Sequence, residues 1–491
     1  MRKLGLLILL CAGLLCSGLG FAQQYDVVIE NGRVMDPETG LDAVRNVGIL
    51  RGKISRIATD HISGARVLDA RGLVVAPGFI DLHQHGQELE SQRMKALDGV
   101  TSALELEIGV PDVAEFLRTQ EGHSLINYGT AASHAAARVA AFGTPLSSSG
   151  SKVGSAIPEI IPKSGAGTDS PASPEQLVAI RERLGHELAA GALAIGMGIQ
   201  YTPGATRYEV IEMFRLAAAH NVPIYTHIRS AGRVEPGSSI ESVSEVIGAS
   251  AISGAALHVV HINSSCLGDS AECLGMVAGA RARGLDVSTE AYPYDAGMTS
   301  INSALFNPGW QQKLGIDYPQ LMLPDTGESL TKERFDELHA STQTRTVIVR
   351  NNNIQIVDSV IRNPLVMIAS DGASGHPRNA GTYSRFLSRY VREQGTITLM
   401  DALRKITLMP AQRLERSTPA ARVKGRLQEQ ADADIVVFNP ATIVDHSTYQ
   451  KPMEPSTGVS YLLVNGTVIV NQGKLVSDVY PGRALKRSTE P

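Results

Sequence analysis

Eight apolar stretches, most of them followed by a helix-like segment, constrain the fold of this chain more than any other feature. They end near "FIDLHQH", "TSALELE", "LINYGTAASH", "ALAIGMGIQ", "PIYTHIR", "LHVVHIN", "VSTEAYPY" and "VMIASDG". Short apolar runs bounded by turn residues read as buried strands. Strands alternating with helices imply a parallel sheet. Eight of them predict an α/β fold, a distorted (β/α)8 TIM barrel. The clearest helix is "SPEQLVAIRERLGHELAAG". Ser173 can cap it, Pro174 suits its first turn, and Gln176 can reach back to complete a capping box.

The two ends of the chain have a different rhythm. "YDVVIENGRVMD", "VGILRGKISRIA" and "ARVLDARGLVVAPG" lie near the start, and "ADIVVFNP" and "VSYLLVNGTVIVNQGKLV" near the end. All are strand-like, with Asn31-Gly32 and Asn465-Gly466 as favoured hairpin turns. The expected organisation is a small β-domain built from residues 23–77 and 421–491, flanking a barrel over residues 78–420. Two segments break the barrel's rhythm: 145–174, rich in Ser, Gly and Pro, and an insertion at 302–345 that holds the only tryptophan, Trp310. Both follow strands, so both are expected on the face where barrel active sites form. Long loops in compact domains often act as lids.

Residues 1–22 stand outside this scheme. Arg2 and Lys3 precede a leucine-rich run, Leu4 to Leu15, and "GFA" at 20–22 supplies the small residues of a cleavage site. This reads as a secretory signal peptide, with an apolar run short for a membrane span. Cleavage after Ala22 implies a periplasmic or secreted bacterial protein with no membrane attachment. It removes two of 45 basic groups and none of the 49 acidic ones, moving the charge from −4 to −6. A basic footprint for nucleic acid is therefore missing, and the expected partner is a small-molecule substrate. Of the four cysteines, Cys266 and Cys273 remain. They can form one bridge in an oxidising compartment or stay as free thiols.

The chemistry lies at the strand ends. His83 and His85, in "GFIDLHQHG", are two residues apart on a strand and point the same way. His227 ends strand five, His261 ends strand six and Asp371 ends strand eight. Barrel strands converge at their C-terminal ends, so these five side chains can meet at the mouth. Imidazoles completed by a carboxylate suit Zn²⁺, as one or two ions. Asp371 can touch the metal, take a proton from its water and act as the catalytic acid–base. His258, three residues before His261, is expected to point elsewhere.

The motifs together resemble the amidohydrolase superfamily, and within it most resemble the N-acyl-D-amino-acid deacylases. The likeness runs over nearly the whole mature chain, through "APGFIDLHQHG", "GALAIGMGIQYTPG", "YTHIRSAG", "AYPYDAG", "ASDG" and, most specifically, "HPRNAGTYSRFLSRYVREQGTITLMDALRKIT". The resemblance implies a zinc-dependent hydrolase that cleaves the amide of an N-acyl-D-amino acid to a carboxylate and a free D-amino acid. It further implies that Arg378 holds the substrate carboxylate, that Tyr201 and Tyr292 lie near it, and that His134 and Arg138 belong to the site. The alternatives are a dipeptidase, a cyclic-amide hydrolase of the dihydroorotase or hydantoinase kind, or a periplasmic binding protein that kept the fold without catalysis.

One departure matters. The deacylases carry a cysteine ligand at the end of strand two, where this chain reads "GVTSALELEIG". Other superfamily members use a carboxylated lysine from strand four, and "GALAIGMGI" has none. Glu105 and Glu107 share one strand face in that region. Glu107, nearer the strand end, is the expected anionic ligand, and the plainest alternative role for Glu105 is a salt bridge with an arginine.

Overall fold

The computed structural model describes residues 24–144 and 161–487. The signal-peptide reading and residues 145–160 of the Ser/Gly/Pro-rich segment lie outside them. Eight parallel strands run in chain order: Phe79–Asp81, Val100–Val110, Asn127–Ser133, Ile195–Gly198, Ile224–His227, Leu257–Val259, Val287–Ala291 and Val366–Ile368. They are the eight stretches picked out in the sequence, curled into a nearly closed barrel. Leu82, Leu104, Leu106, Leu193, Val260 and Met367 fill its interior. The helix Pro174–Ala189 starts as expected, with Ser173 Oγ accepting from the Gln176 N–H (3.2 Å) and Gln176 Oε1 from the Ser173 N–H (2.8 Å).

A nine-stranded sheet joins both ends of the chain. Its two halves meet where Val74–Pro77 pairs antiparallel with Ile435–Phe438. Asn465-Gly466 makes the expected two-residue hairpin between Val459–Val464 and Thr467–Asn471, with both turn residues at positive φ. Asn31-Gly32 does not turn the chain. Tyr25–Asp36 is one continuous strand, bulged between Ile29 and Gly32. Asn31 sits at φ 60° with its N–H donated to Asn46 Oδ1 (2.9 Å), and a Cβ on Gly32 would meet Val75 Cγ2 at 2.3 Å. The same residue preference for positive φ that suits a hairpin also suits a bulge, and here the neighbouring strand decides.

Two expected boundaries shift. The insertion is wider than 302–345: it carries a three-stranded sheet of Gly297–Ser300, Thr346–Val349 and Leu321–Met322, with Thr346–Val349 in the middle, over a core that includes Phe306, Trp310 and Phe335. Residues 482–485, assigned above to the β-domain, leave it for the barrel. The Leu485 N–H donates to Tyr128 O (2.7 Å) and the Leu485 side chain joins the barrel's interior cluster.

Candidate metal centre

The first strand delivers His83 and His85 into the mouth of the barrel, with their Nε2 atoms 3.3 Å apart. Asp371 follows the eighth strand. Its Oδ1 lies 3.4 Å from His83 Nε2 and 3.1 Å from His85 Nε2. The second strand adds Glu107. Glu107 Oε2 is 3.0 Å from His83 Nε2 and 3.2 Å from His85 Nε2. Its other oxygen, Oε1, is 2.9 Å from His227 Nδ1 and 3.0 Å from His261 Nε2. Two groups of donors thus share one carboxylate: His83, His85, Asp371 and Glu107 on one side, Glu107, His227 and His261 on the other. All six residues are buried. His261 at φ 28° and Asp371 at φ 51° hold a backbone conformation that residues other than glycine rarely adopt; such strain persists where surrounding contacts enforce it, often at functional sites.

Each imidazole of the first group is propped from behind. His83 Nδ1 contacts Glu290 Oε1 at 2.6 Å, and His85 Nδ1 contacts Glu105 Oε2 at 2.6 Å. His261 Nδ1 contacts Ser265 Oγ at 3.0 Å. Such partners fix the ring's orientation and leave the inward nitrogen free to coordinate. Glu105 therefore serves His85 rather than an arginine, and it also accepts the N–H groups of Ile108 (3.1 Å) and Gly109 (3.2 Å). Glu290 was missed in the sequence, although a carboxylate inside the buried strand "VSTEA" is itself a signal. His258 does point away from the mouth, as expected, yet it is not idle: its Nε2 lies 3.1 Å from Glu290 Oε2, so it steadies the residue that steadies His83. Gln200, also missed, contacts His227 Nε2.

The electrostatics fit a cation. Four buried carboxylates, Glu105, Glu107, Glu290 and Asp371, converge here against one guanidinium, that of Arg378. Burial opposes protonation of His83, but Asp371, Glu107 and Glu290 overcome it and hold that imidazole well above its ordinary range. Burial likewise opposes protonation of His85, and Glu105 and Asp371 overcome it. A divalent ion would meet this negative charge through nitrogen and oxygen donors of the type zinc takes. Burial would raise the Asp371 carboxyl, but Arg378 and then His83 outweigh it and keep it well below the usual carboxylate range. His227 is pushed down by burial and by His261, which favours the neutral, coordinating form.

A cleft opens over the centre, lined by His85, Glu107, His227, His261 and Asp371, together with Tyr201 and Tyr292. The insertion supplies one wall of it through Met298, Leu305, Leu314 and Val349, which bears out the expectation that it lies on the active face. Two sequence assignments change, those of His134 and Arg138, while Arg378 lies beside Asp371 behind the cleft lining. Arg378 is not on the cleft surface. It is fully buried, its Nη1 2.8 Å from Asp371 Oδ2 and its Cζ 4.7 Å from the centre of the Tyr292 ring, and none of its N–H groups meets a well-aligned acceptor. His134 and Arg138 are not brought to the cleft at all. Both are buried against Glu209, with His134 Nε2 at 2.8 Å, while Arg138 also donates to Gly167 O (3.0 Å) and Ser170 O (2.6 Å). Arg138, with His134 beside it on Glu209, ties the helices His134–Ala141 and Arg207–Ala219 to the segment around residues 165–170.

Comparison with known proteins agrees with this geometry. Residues 160–470 match the Amidohydrolase family. The chain is 29% identical to N-acyl-D-glutamate deacylase of Alcaligenes xylosoxydans xylosoxydans, over 95% of this chain and 97% of that protein. N-acyl-D-glutamate deacylase from Bordetella bronchiseptica, solved with zinc and a phosphonate mimic of the tetrahedral intermediate, superposes with a TM-score of 0.78 at 24% identity, over 94% of this chain and all of that one. A D-aminoacylase structure with a binuclear metal centre gives the same TM-score at 22% identity, with the same coverage. On the strength of the family match, which spans more than half its length, the chain belongs to the amidohydrolase family.

Proposed function

We propose that this protein is a zinc-dependent hydrolase of N-acyl-D-amino acids, releasing a carboxylate and the free D-amino acid. The observation that carries the reading is the pair of donor groups joined by Glu107 at the floor of the cleft. His83, His85, Glu107 and Asp371 would hold one ion, and Glu107, His227 and His261 a second where two are bound. A divalent ion bound there supplies Lewis acidity, acidifying water and polarising a carbonyl oxygen.

The remaining chemistry falls to the chain. Asp371, ionised beside Arg378, accepts the proton that water loses as its oxygen adds to the amide carbon. The carbon–nitrogen bond then breaks, and Asp371 returns that proton to the departing nitrogen. Tyr292, whose phenol burial pushes up to about 12, stays protonated and can donate a hydrogen bond to developing negative charge. Tyr201 is also raised, by burial and by Glu107, and keeps its proton for the same use. Arg378 Nη1 pairs with Asp371 behind the cleft lining, and the guanidinium keeps N–H groups without an aligned acceptor. We assign them to the substrate's free carboxylate, for which a planar guanidinium is well shaped.

Export belongs to the same reading: residues 1–22 act as a cleaved signal and the enzyme works in the periplasm or outside the cell. Fractionation of cells expressing the full chain tests this, and a cytoplasmic, uncleaved product would overturn it. The activity is tested by offering the zinc-loaded mature protein N-acetyl and N-formyl D- and L-amino acids, dipeptides and cyclic amides. Turnover of the N-acyl-D compounds is expected; turnover confined to dipeptides or cyclic amides would overturn the assignment.

A further inference from the structure

The barrel has a seam. Each strand is laddered to its neighbours except the first and the eighth, whose backbones are joined by the isolated bridge between Gln84 and Gly372, with Ser370 Oγ donating across the gap to His83 O (3.2 Å). That seam runs between His83 and His85 on one side and Asp371 on the other, so the spacing within the first donor group depends on how the seam is held. Gly372 O accepts the N–H groups of His85 (2.8 Å) and Gly86 (3.1 Å). Below it sits a carboxylate that neither the mechanism nor the sequence reading uses. Asp81, at the end of the first strand, is wholly buried. Its Oδ1 accepts the N–H of His83 (3.2 Å) and, across the seam, the N–H of Ser370 (3.0 Å). Its Oδ2 lies 2.9 Å from Lys95 Nζ, also wholly buried. Lys95 in turn reaches the carbonyl of Arg378 (3.5 Å). The packing leaves no slack: a Cβ on Gly372 would meet Gln84 Oε1 at 2.3 Å and Lys95 Nζ at 3.1 Å.

We propose that Asp81 and Lys95 are positioning residues for the metal centre. One carboxylate oxygen holds the backbone of a histidine ligand and the residue before Asp371 at a fixed separation. The lysine holds that carboxylate in the orientation that does so, by occupying its other oxygen. The inference rests on the reading of His83, His85 and Asp371 as metal ligands. A buried ion pair is seldom the most stable solution for a core, so its presence at the seam is better explained by what it orients than by stability.

Two double variants separate the roles, because both remove the charge pair and only one keeps an acceptor. In Asp81→Asn with Lys95→Met, the carboxamide oxygen can still take both N–H groups. In Asp81→Leu with Lys95→Met, no acceptor remains, while the paired replacement avoids an unpartnered buried charge. Zinc affinity is read by competition with a chromophoric chelator on protein whose fold is verified by circular dichroism. The Asn variant is expected to bind zinc within about threefold of the parent and the Leu variant about 10–100-fold more weakly, the usual scale for losing a residue that orients a ligand. At saturating zinc the Leu variant should show a lower kcat with KM little changed. Equal zinc affinities in the two variants, or parental affinity in the Leu variant, would overturn the proposal. His83→Ala serves as the control: if it binds zinc like the parent, the metal-centre reading itself fails, and this inference with it.

Discussion

Glu107 is the residue on which the centre turns, since its two oxygens face different donor groups. Glu107→Gln replaces an anion by a neutral amide that cannot serve both groups equally. Zinc content should fall far more than in Glu105→Gln, which disturbs the prop behind His85 and the acceptor for the Ile108 and Gly109 N–H groups but no donor of the centre. The reverse order, measured by metal analysis, would make Glu105 the coordinating residue. Asp371→Asn should keep the fold and much of the zinc, yet lose about 10²–10⁴-fold in turnover at matched zinc occupancy, the range for general acid–base catalysis. A mutant within a few-fold of the parent would reduce Asp371 to a ligand. Because Arg378 holds the Asp371 carboxyl low, removing that guanidinium in Arg378→Met raises its pKa. Activity then disappears at a higher pH on acidification than in the parent, and a pH–rate profile whose acid limb stays in place would contradict this.

At the scale of elements, the insertion and one docked helix carry consequences of their own. The cleft wall of Met298, Leu305, Leu314 and Val349 is apolar, and a carboxylate desolvated against such a wall costs several kcal/mol. N-acetyl-D-leucine should therefore exceed N-acetyl-D-glutamate in kcat/KM by at least about tenfold. A preference for glutamate would show that a charged group reaches the wall. The helix Leu399–Ile406 buries Lys405, whose Nζ donates to the carbonyls of Asn363 and Val366. Burial pushes this ammonium down to about 7. Between that value and the ordinary lysine value the unfolded chain binds the extra proton, so stability contributed at this position rises with pH across that window. The thermal midpoint of the parent should gain on that of Lys405→Met from pH 7 to pH 10; a constant gap would mean that the lysine titrates normally. Much of this architecture is legible in the sequence, because strand ends and ligand residues coincide: all eight barrel strands and five of the donors follow from period and position, and Glu107 from the place where the deacylases carry a cysteine. What is not legible depends on neighbours distant in sequence. Asn31-Gly32 carries the chemistry of a turn and forms a bulge because Val75 packs against it. His134 and Arg138 carry a motif and yet both turn to Glu209. Glu290 has a meaning only once His83, 207 positions earlier, lies beside it.

Over the whole molecule, the barrel depends on the end of the described chain as much as on its middle. Leu485 fills the barrel's interior cluster from residues 482–485. Leu485→Ala should cost about 2–5 kcal/mol in unfolding free energy through the cavity it leaves. It should leave kcat unchanged in the folded fraction, and an unchanged denaturant midpoint would show that the tail is ornamental. The flanking sheet has the same long reach along the chain, for Val75 pairs with Val437 and the whole barrel lies between them in sequence. That pairing has a consequence in time. During synthesis, the edge formed by Val74–Pro77 stays open until the barrel and the strand after it have been made. Contacts so distant along the chain form late and slowly, and an exposed edge invites pairing with other chains while it waits. A nascent chain cut short before residue 435 would thus be a candidate for aggregation rather than a smaller working enzyme, and a polypeptide slow to close its last sheet remains threadable through a translocation pore for longer than one that folds as it emerges.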